Sequence, residues 1–377
     1  MDGFWRIKHL IQPYENTVCV INLAAIRHNY RQIVASVNCI VGAVIKADAY
    51  GFGLEEIGIS LYREGCRDFW VASIEEGMRL RSSLEEAMCE CHFDDKLSLD
   101  IRIFVLSGIY PRTREYFQRY GLVPVISSIC QLENIEPDDM IVLHVDTGLC
   151  RTGVSCEEAV LLSRRKLCMH SIISHLACSD DPNNRFNEIQ RQRFEHVTAY
   201  YPNVRRSLVA SVGVGLGEAY HYDMVRIGKL LYGFTGEVDS MLLPVLEIYA
   251  RIVRISTVSI GESIGYNALF VTKRDSVIAT VHIGYSNGFV RAYRDGGSVV
   301  IHGCLAPVVG MISMDYIMVD ITEIYNVGEG IHVGDWVSIC SAERTIDNLA
   351  ADVNAIAHEM SCSFGGMLRR IYINDDC

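Results

Sequence analysis

The sequence predicts an α/β protein in which a (β/α)8 (TIM) barrel is followed by a C-terminal, mainly antiparallel β domain. First, the chain has 377 residues, more than a single hydrophobic core usually accommodates, which favours two domains. Second, apolar strands alternate with amphipathic segments from residue 17 to about 240, which is typical of a parallel sheet buried on both faces. Third, closely spaced strands with glycine turns follow. The predicted domains are residues 1–241, in which residues 1–16 pack on the β domain, and residues 242–377.

The barrel prediction depends on short strand candidates rich in β-branched residues. About 250 residues is typical of a (β/α)8 barrel, and eight strand–helix units over roughly 225 residues fit it, with a doubly wound open sheet as the alternative. The strand candidates are CIVGAVIKA (39–47), FWVAS (69–73), IRIFVLS (101–107), LVPVIS (122–127), MIVLHVDT (140–147), SIISHLA (171–177), SLVASV (207–212) and DMVRIG (223–228). Helical segments, with apolar residues three and four apart, include residues 23–37, 74–84, 156–167 and 187–201.

The second domain is predicted from strand candidates with few helices between them. These candidates are ARIVRISTVSIGESIGY (250–266), SVIATVHIGY (276–285), GGSVVIHGCLAPVVGMIS (296–313) and DYIMVDIT (315–322). Because no linker or low-complexity tract separates the two domains, we expect them to pack directly on each other.

Composition narrows the possible partners and the location of the chain. The chain has 34 Lys and Arg and 46 Asp and Glu, which gives a formal charge of −12. This negative charge argues against nucleic acid as a binding partner. No signal peptide and no run of about 18 apolar residues is visible, so a cytoplasmic location without direct membrane contact is predicted.

The 14 cysteines are spread through a large chain and are interpreted as reduced thiols. CECH (89–92) lacks a second ligand pair, so no metal site is predicted.

Polar residues follow the predicted barrel strands at their carboxyl ends, where a barrel places its active site. They are Lys46, Tyr50, Asp146, Arg151, His175, Ser211, Arg226 and Gly228. Taken singly, each has an ordinary interpretation: a strand-end lysine, a core histidine, a surface ion pair. Their convergence on one mouth favours a functional site. Desolvation at an apolar rim disfavours the charged amine of Lys46, and a neutral amine is the nucleophile that forms a Schiff base.

An ordered set of motifs then identifies a family that the chain resembles. AVIKADAYGFG (43–53) resembles the cofactor-lysine motif of the alanine racemases, which are fold-type III enzymes that depend on pyridoxal 5'-phosphate (PLP). Further similar segments occur in the family's order: VDTGLCRTGV (145–154), SHLACSDD (174–181), VRIGKLLYG (225–233), IGYNALF (264–270), HIGYSNGFVR (282–291) and GMISMDYIMVDIT (310–322). The resemblance covers residues 17 to 374.

The resemblance implies a PLP-dependent racemase that interconverts L- and D-alanine and supplies D-amino acid for cell-wall peptidoglycan. It implies a head-to-tail homodimer whose active sites take residues from both subunits. Lys46 would bind the cofactor covalently and serve as one base, and Tyr266 of the partner subunit would serve as the other. Racemisation needs bases on opposite faces, because one removes the α-proton and the other replaces it with inverted configuration.

The same comparison assigns the remaining site residues. Arg226 would bind the pyridine nitrogen, which weakens the electron sink and suppresses side reactions, and His175 would lie beside the ring. Arg151 would bind the substrate carboxylate. The residues that would hold the phosphate are Tyr50, Ser211 and Gly228, and those at the substrate entrance are Met314 and Tyr285 of the partner subunit.

Three departures from the family pattern bear on the substrate. His144 stands where most members have a lysine, often carbamylated, that braces the carboxylate-binding arginine. His358 stands where a tyrosine usually contacts both the cofactor phosphate and the substrate pocket, and Asn287 replaces an aspartate. A smaller, more polar pocket side chain favours serine as an alternative substrate, as in the racemase domains of membrane-tethered vancomycin-resistance enzymes.

The sequence leaves two other functions open. The first is a PLP-dependent decarboxylase of similar layout, although such enzymes usually place an acidic residue where Arg226 lies. The second is a non-catalytic PLP carrier, which the intact second domain with Tyr266 disfavours.

Overall fold

The first elements of the chain belong to both halves of the molecule. The structure, a computed structural model, describes residues 2–90, 100–234, 241–327 and 330–374. Helix α1 (Asp2–Ile7) is followed by strand β1 (Thr17–Asn22) and helix α2 (Leu23–Ser36). Asn22 caps α2, because its side-chain oxygen accepts hydrogen bonds from the backbone amides of Ala24 and Ala25.

The next strands form a closed parallel barrel. They are β2 (Ile40–Val44), β3 (Asp68–Val71), β4 (Arg102–Val105), β5 (Leu122–Ile126), β6 (Ile141–His144), β7 (Met169–Ile173), β8 (Arg205–Ser207) and β9 (Met224–Ile227). Successive strands pair in parallel from β2 to β8, and β9 pairs with β2. A parallel bridge between Ala210 and Arg226 joins β8 to β9 and closes the sheet. The predicted barrel is confirmed, and the open doubly wound sheet is excluded.

Helices cover the outside of the barrel, as the alternating pattern predicts. They are α4 (Leu54–Arg63), α5 (Ile74–Glu90), α6 (Arg114–Arg119), α7 (Cys156–Leu162) and α8 (Arg185–Thr198), whereas the short segment α3 (Lys46–Tyr50) follows the carboxyl end of β2 at the barrel mouth. Helix α7 begins at a capping box, in which Ser155 and Glu158 each accept the other's backbone amide. The segment α3 is a special case, described below, because its backbone is left-handed.

The second sheet is mainly antiparallel and takes one strand from the start of the chain. Its later strands are β10 (Leu246–Val258), β13 (Ser276–Val281), β14 (Ser298–Ile301), β15 (Cys304–Val309), β16 (Ile317–Asp320), β17 (Trp336–Cys340) and β18 (Arg370–Ile373), with a separate hairpin of β11 (Ser263–Ile264) and β12 (Phe270–Val271). Helices α9 (Ile346–Asp352) and α10 (Ala357–Gly365) precede β18. Strand β1 lies between β10 and β18, antiparallel to the first and parallel to the second.

The N-terminal helix α1 lies on this second sheet. Phe4 and Ile7 pack with Tyr249, Trp336 and neighbouring apolar side chains, and the Phe4 and Tyr249 ring centroids are 5.0 Å apart. Because β1 belongs to the second sheet and α1 packs on it, both elements are structurally part of the β domain although they precede the barrel. The boundary at residue 242 stays a prediction.

The end of the barrel opposite the strand carboxyl ends is held by aromatic and ionic contacts. Trp70 and Phe104 stack with ring centroids 4.3 Å apart, and His170 lies 4.8 Å from Phe104 by the same measure. The Arg102 guanidinium binds the buried carboxylate of Asp68, with Nε 2.6 Å from Oδ1. Burial lowers the pKa of His170 to about 4; the negative charge of Asp68 acts in the opposite direction but is outweighed, and the positive charges of Arg205 and Arg102 add to the lowering. Contacts at this end of a barrel serve stability.

Acidification is expected to destabilise the chain in part through His170. Its folded pKa of about 4 lies below the unfolded value of about 6.5, so its stabilisation is fully present above about pH 6.5 and is lost as the pH falls towards 4. The slope should not exceed about 1 kcal/mol per pH unit, since the side chain is partly exposed. Urea unfolding between about pH 5 and about pH 7 measures it. His170→Gln should flatten the slope, whereas His9→Gln, at an exposed residue, should not.

Three predictions about the chain as a whole can be compared with the structure. Within the described ranges, no helix is both long and apolar enough to cross a membrane, and no cluster of metal-ligating side chains occurs. Every cysteine that the structure describes is a free thiol. Of the CECH motif, Cys89 and Glu90 end α5, and residues 91–92 lie outside the described residues.

Candidate active site

The carboxyl ends of the barrel strands bring together most of the predicted site residues. Electrostatic interactions connect Lys46 with Arg151, and connect His175 with Lys46, Arg151, Arg226 and His144. Gly228 lies against the Tyr50 hydroxyl and donates its amide to Ser211. One further member comes from α10 of the second domain, because the His358 ring lies 6.2 Å from that of Tyr50. The predicted convergence is therefore observed within one chain.

Lys46 is presented by an unusual left-handed turn. The φ angles of Ala47, Asp48, Ala49 and Tyr50 are 55°, 54°, 53° and 58°, values that L-residues adopt only at a cost. The amide of Gly51 donates to the carbonyl of Ala47 at 2.9 Å, and the amide of Gly53 donates to that of Asp48 at 2.9 Å. These glycine amides are therefore used within the turn.

Gly51 has a second role, since it also permits the close approach of α10. A Cβ on Gly51 would lie 2.5 Å from the backbone oxygen of Ser361. With φ at 88°, the residue also has a conformation that favours glycine.

Lys46 lies in surroundings that favour its neutral amine. Burial is the main factor that lowers its pKa, and the positive charge of Arg151 lowers it further. Glu76 and Cys362 act in the opposite direction but are outweighed. The net effect is a larger fraction of nucleophilic amine at neutral pH, as the sequence predicts for a lysine at this rim.

Arg226 is a buried cation fixed by backbone oxygens. Its Nη1 donates to the carbonyl and hydroxyl of Ser207 at 2.8 and 2.6 Å, and its Nη2 donates to the carbonyls of Ser174 and Leu208. The guanidinium carbon lies 5.7 Å from the Trp70 ring centroid. Burial lowers the pKa of Arg226 to about 9, so it remains a cation at neutral pH. Among the described residues none accepts from Nε, which is the donor left for a ligand.

Two histidines next to this cation are uncharged at neutral pH. Burial, followed by the positive charge of Arg226, lowers the pKa of His175 to about 3 and that of His144 to about 4. His144 ends strand β6, and its Nδ1 lies 3.4 Å from the Thr152 hydroxyl. A neutral His144 brings no charge to the neighbourhood of Arg151, unlike a carbamylated lysine.

Tyr50, Ser211 and Gly228 form a compact cradle of hydrogen-bonding groups. The amide of Gly228 donates to the Ser211 hydroxyl at 2.9 Å. A Cβ on Gly228 would lie 2.4 Å from the Tyr50 hydroxyl oxygen, so only glycine lets the phenol reach this backbone. Burial raises the pKa of Tyr50 to about 12, which keeps the phenol a donor. The two hydroxyls can donate to a phosphate, and the Gly228 amide orients the Ser211 hydroxyl for this by donating to its oxygen.

The cradle, the cation and the amine together suit one ligand type. A phosphate ester in the cradle, a ring nitrogen at Arg226 and an aldehyde carbon at Lys46 are the three functional groups of PLP. The residues present therefore fit the cofactor that the resemblance implies.

The predicted substrate-binding arginine lies on an ordered but exposed loop. Arg151 is exposed in the loop after β6. The Asp146 carboxylate accepts from the amides of Gly148 and Cys150 at 2.8 and 3.1 Å, and Val154 bridges back to Val145. The loop geometry is thus fixed by its own backbone, and the guanidinium is free of ion pairs within the described residues.

The predicted partner residues are exposed in the single chain. Tyr266, Tyr285 and Met314 are exposed by 67%, 44% and 55%. The electrostatic interactions of Lys46 involve none of them. Nearby, the side-chain oxygen of Asn287 accepts from the amide of Gly284 at 3.1 Å, so this amide side chain serves the local turn.

Sequence reasoning missed several residues around the lysine. Glu76 accepts from the amides of Asp48 and Ala72 at 2.9 and 2.7 Å and interacts with Lys46. Cys362 on α10 interacts electrostatically with Lys46 as well. Neither residue ends a barrel strand, so no strand-end rule could have found them. Asp48 lies inside the quoted motif, but only the fold reveals its partner Arg370.

Comparisons with known proteins agree with this geometry. Residues 21–236 match the family model for the alanine racemase N-terminal domain, and residues 245–372 match that for the alanine racemase C-terminal domain. The alanine racemase of Rickettsia canadensis is 35% identical over 366 residues, which cover 93% of this chain and 98% of the relative. That of Rhizobium meliloti is 36% identical over 379 residues, with 94% and 96% covered.

A solved structure extends the similarity to three dimensions. Alanine racemase from Bartonella henselae, with covalently bound pyridoxal phosphate, superposes with a TM-score of 0.84 at 31% identity, covering 95% of this chain and 100% of that one. These relatives are described as alanine racemases, and the serine alternative finds no support among them.

Proposed function

The chain belongs to the alanine racemase family and uses pyridoxal phosphate as its cofactor, and on this premise we propose that it interconverts L- and D-alanine by a two-base mechanism. The observation that carries the proposal is the position of Lys46. Its amine, with a pKa lowered mainly by burial, lies at the barrel mouth beside a phosphate cradle and a fixed cation. We further propose that the D-alanine serves peptidoglycan synthesis.

Each residue of the mouth has a distinct task in this mechanism. The bound cofactor supplies the electron sink that makes the α-proton of the amino acid acidic. Tyr50, Ser211 and Gly228 would hold its phosphate, and Arg226 would donate to its ring nitrogen without giving up a proton. The neutral His175 would lie beside the ring and add no charge.

Arg151 would orient the substrate on the same mouth. Its exposed guanidinium is available for two parallel hydrogen bonds to the amino-acid carboxylate. With the carboxylate and the cofactor fixed, the α-hydrogen faces either Lys46 or the opposite side. Lys46 accepts or returns the proton at its Nζ on one face.

The second base is proposed to come from another copy of the chain. Tyr266 would exchange the proton at its hydroxyl on the face opposite Lys46, and Tyr285 and Met314 would line the entrance from the same partner. Large apolar or aromatic side chains exposed on the second domain support such an interface: Tyr266, Leu269, Tyr285, Met314 and Tyr316. A head-to-tail homodimer would cover them.

Racemisation in heavy water tests the proposal. The holoenzyme incubated with L-alanine should produce D-alanine that carries deuterium at the α-carbon, measured by chiral chromatography and mass spectrometry. Carbon dioxide release from basic amino acids, without racemisation, would instead favour the decarboxylase. Cofactor binding without any α-deuterium exchange would favour the non-catalytic carrier.

His358 is expected to influence the choice between alanine and serine. Its ring lies near Tyr50, and burial is the main factor that lowers its pKa, so a mostly neutral imidazole lines this side of the site. His358→Tyr should change the ratio of kcat/KM for L-alanine over L-serine by about tenfold in favour of alanine, since one pocket group has that order of effect. His332→Tyr, at an exposed histidine, is the control. An unchanged ratio would remove His358 from the specificity argument.

A further inference from the structure

The left-handed turn after Lys46 requires stabilising contacts from the structure around it. Residues with a Cβ rarely adopt this conformation, and here Ala47, Asp48, Ala49 and Tyr50 adopt it in succession. Such a backbone persists only where the surrounding structure over-determines it. Relaxation of the turn would redirect the amine of Lys46, which immediately precedes it.

Asp48, at the centre of the turn, makes most of the stabilising contacts. Its amide donates to Glu76 at 2.9 Å. One carboxylate oxygen accepts from the amide of Leu54 at 3.2 Å and from Arg79 at 3.1 Å. The other accepts from Arg370 Nη2 at 2.5 Å. Burial opposes ionisation, but the hydrogen bonds from Leu54 and Arg370 and the charges of both arginines give a lowered pKa, so Asp48 is an anion.

Arg370 connects this turn to the second domain. It lies on β18, the edge strand beside β1. Its Nε and Nη2 donate to the carbonyl of Gly365, at the end of α10, at 3.1 and 2.8 Å. A Cβ on Gly365 would lie 2.0 Å from the backbone oxygen of Gly51, so α10 and the turn are in direct backbone contact here.

We propose that Asp48 and Arg370 form a clamp through which the second domain of the same chain holds the left-handed turn and so positions Lys46 for reaction. The inference deepens the proposed function and rests on it. The clamp side chains are 28% and 20% exposed, so their charges are only partly screened. Neither residue contacts the phosphate cradle or Arg226, and both are positioning residues.

The clamp has a measurable consequence for the lysine. The pKa of Lys46 is lowered mainly by burial and also by Arg151, against Glu76 and Cys362. A loosened turn would expose the amine to water and raise its pKa. Addition of the amine to an aldehyde requires the neutral form, so the reaction would slow at neutral pH and its pH profile would move upwards.

The test follows the uptake of PLP by the full chain after the cofactor has been stripped. The visible absorbance of lysine-bound cofactor gives the rate constant at each pH. Arg370→Ala and Asp48→Ala should each slow uptake at neutral pH by about tenfold and shift the profile upwards, because a charge-assisted contact is lost. The double variant should be slowed by clearly less than the product of the two single effects, since both single variants remove the same contact between Asp48 and Arg370.

Conservative and remote variants complete the design. Asp48→Asn keeps a single oxygen acceptor, which can serve Leu54 or Arg370 but not both, so its rate and pH profile should lie between those of the original chain and those of Asp48→Ala. Arg114→Ala is the matched control, because it removes an arginine whose Nε lies 2.6 Å from the Asp139 carboxylate, before strand β6 and away from the mouth. It should leave both the rate and the profile unchanged.

Two results would overturn the clamp. One is an Arg370→Ala chain that is less stable to heat, but takes up PLP at the original rate with the original pH profile. The second result applies where Arg370→Ala fails to fold. It is an Asp48→Ala chain that takes up PLP at the same rate and with the same pH profile as Asp48→Asn. Failure of the wild-type holoenzyme to racemise alanine would refute the proposed function instead, because cofactor uptake is measured without substrate.

Discussion

Replacement of Lys46 with alanine is expected to abolish racemisation, lowering kcat by at least about 10³-fold, and to remove the visible absorbance of lysine-bound cofactor. The change deletes both the covalent attachment and one of the two bases. The amine lies at the mouth with a pKa lowered mainly by burial, and the side chains that interact with it are an arginine, a histidine, a carboxylate and a thiol: Arg151, His175, Glu76 and Cys362. None of these can replace a neutral primary amine.

The measurement combines a steady-state assay with chemical trapping. Borohydride should fix PLP on the wild-type chain, and peptide mapping should locate the modification on the peptide that contains Lys46. Lys166→Ala, at an exposed lysine before strand β7, is the matched control and should retain both activity and absorbance. Trapping on a different lysine, or activity in Lys46→Ala, would contradict the assignment.

The second large effect is expected at Tyr266. Tyr266→Phe removes the hydroxyl that serves the face opposite Lys46, and should lower kcat by about 10²–10⁴-fold, the usual contribution of a general acid–base. The loss should be asymmetric: in heavy water the variant should still exchange the α-hydrogen of one enantiomer through Lys46 but not that of the other. Equal loss of both exchanges would show that Tyr266 is not a face-specific base.

Mixed dimers can show from which subunit the tyrosine comes. If each site combines Lys46 of one chain with Tyr266 of the other, a mixture of Lys46→Ala and Tyr266→Phe chains contains dimers with one intact site. Random pairing then restores about a quarter of the wild-type activity. If both residues acted within one chain, every site would lack one of them, and the mixture would be as inactive as its components.

Sequence patterns were sufficient to predict the barrel and the residues at the ends of its strands. Periodicity alone identifies the strands, and active sites of barrels lie at the carboxyl ends of their strands, which is where Lys46, Arg226 and Ser211 occur. The phosphate cradle followed from the motif, and the contact between Gly228 and Tyr50 supports it. These features are local in sequence or follow from strand order, and both are visible in a single chain.

The features that the sequence did not reveal depend on contacts between residues that are far apart in the chain. The sequence does not show that the amides of Gly51 and Gly53 close a left-handed turn by donating to the carbonyls of Ala47 and Asp48. Runs of positive φ leave no compositional trace when the residues are Ala, Asp and Tyr. The pairing of Asp48 with Arg370 spans the two domains, and strand β1 resembles any buried strand until its neighbours are known.

Strand β1 has a consequence for how the protein is made. It leaves the ribosome early, yet both of its neighbours, β10 and β18, are encoded after the whole barrel. The barrel can therefore assemble before β1 has a partner strand. During that time the unpaired apolar strand is exposed to chaperones or to other nascent chains. A gene fragment that starts at residue 242 would yield a sheet that lacks the strand between β10 and β18, and co-expression of residues 1–22 offers a way to supply that strand.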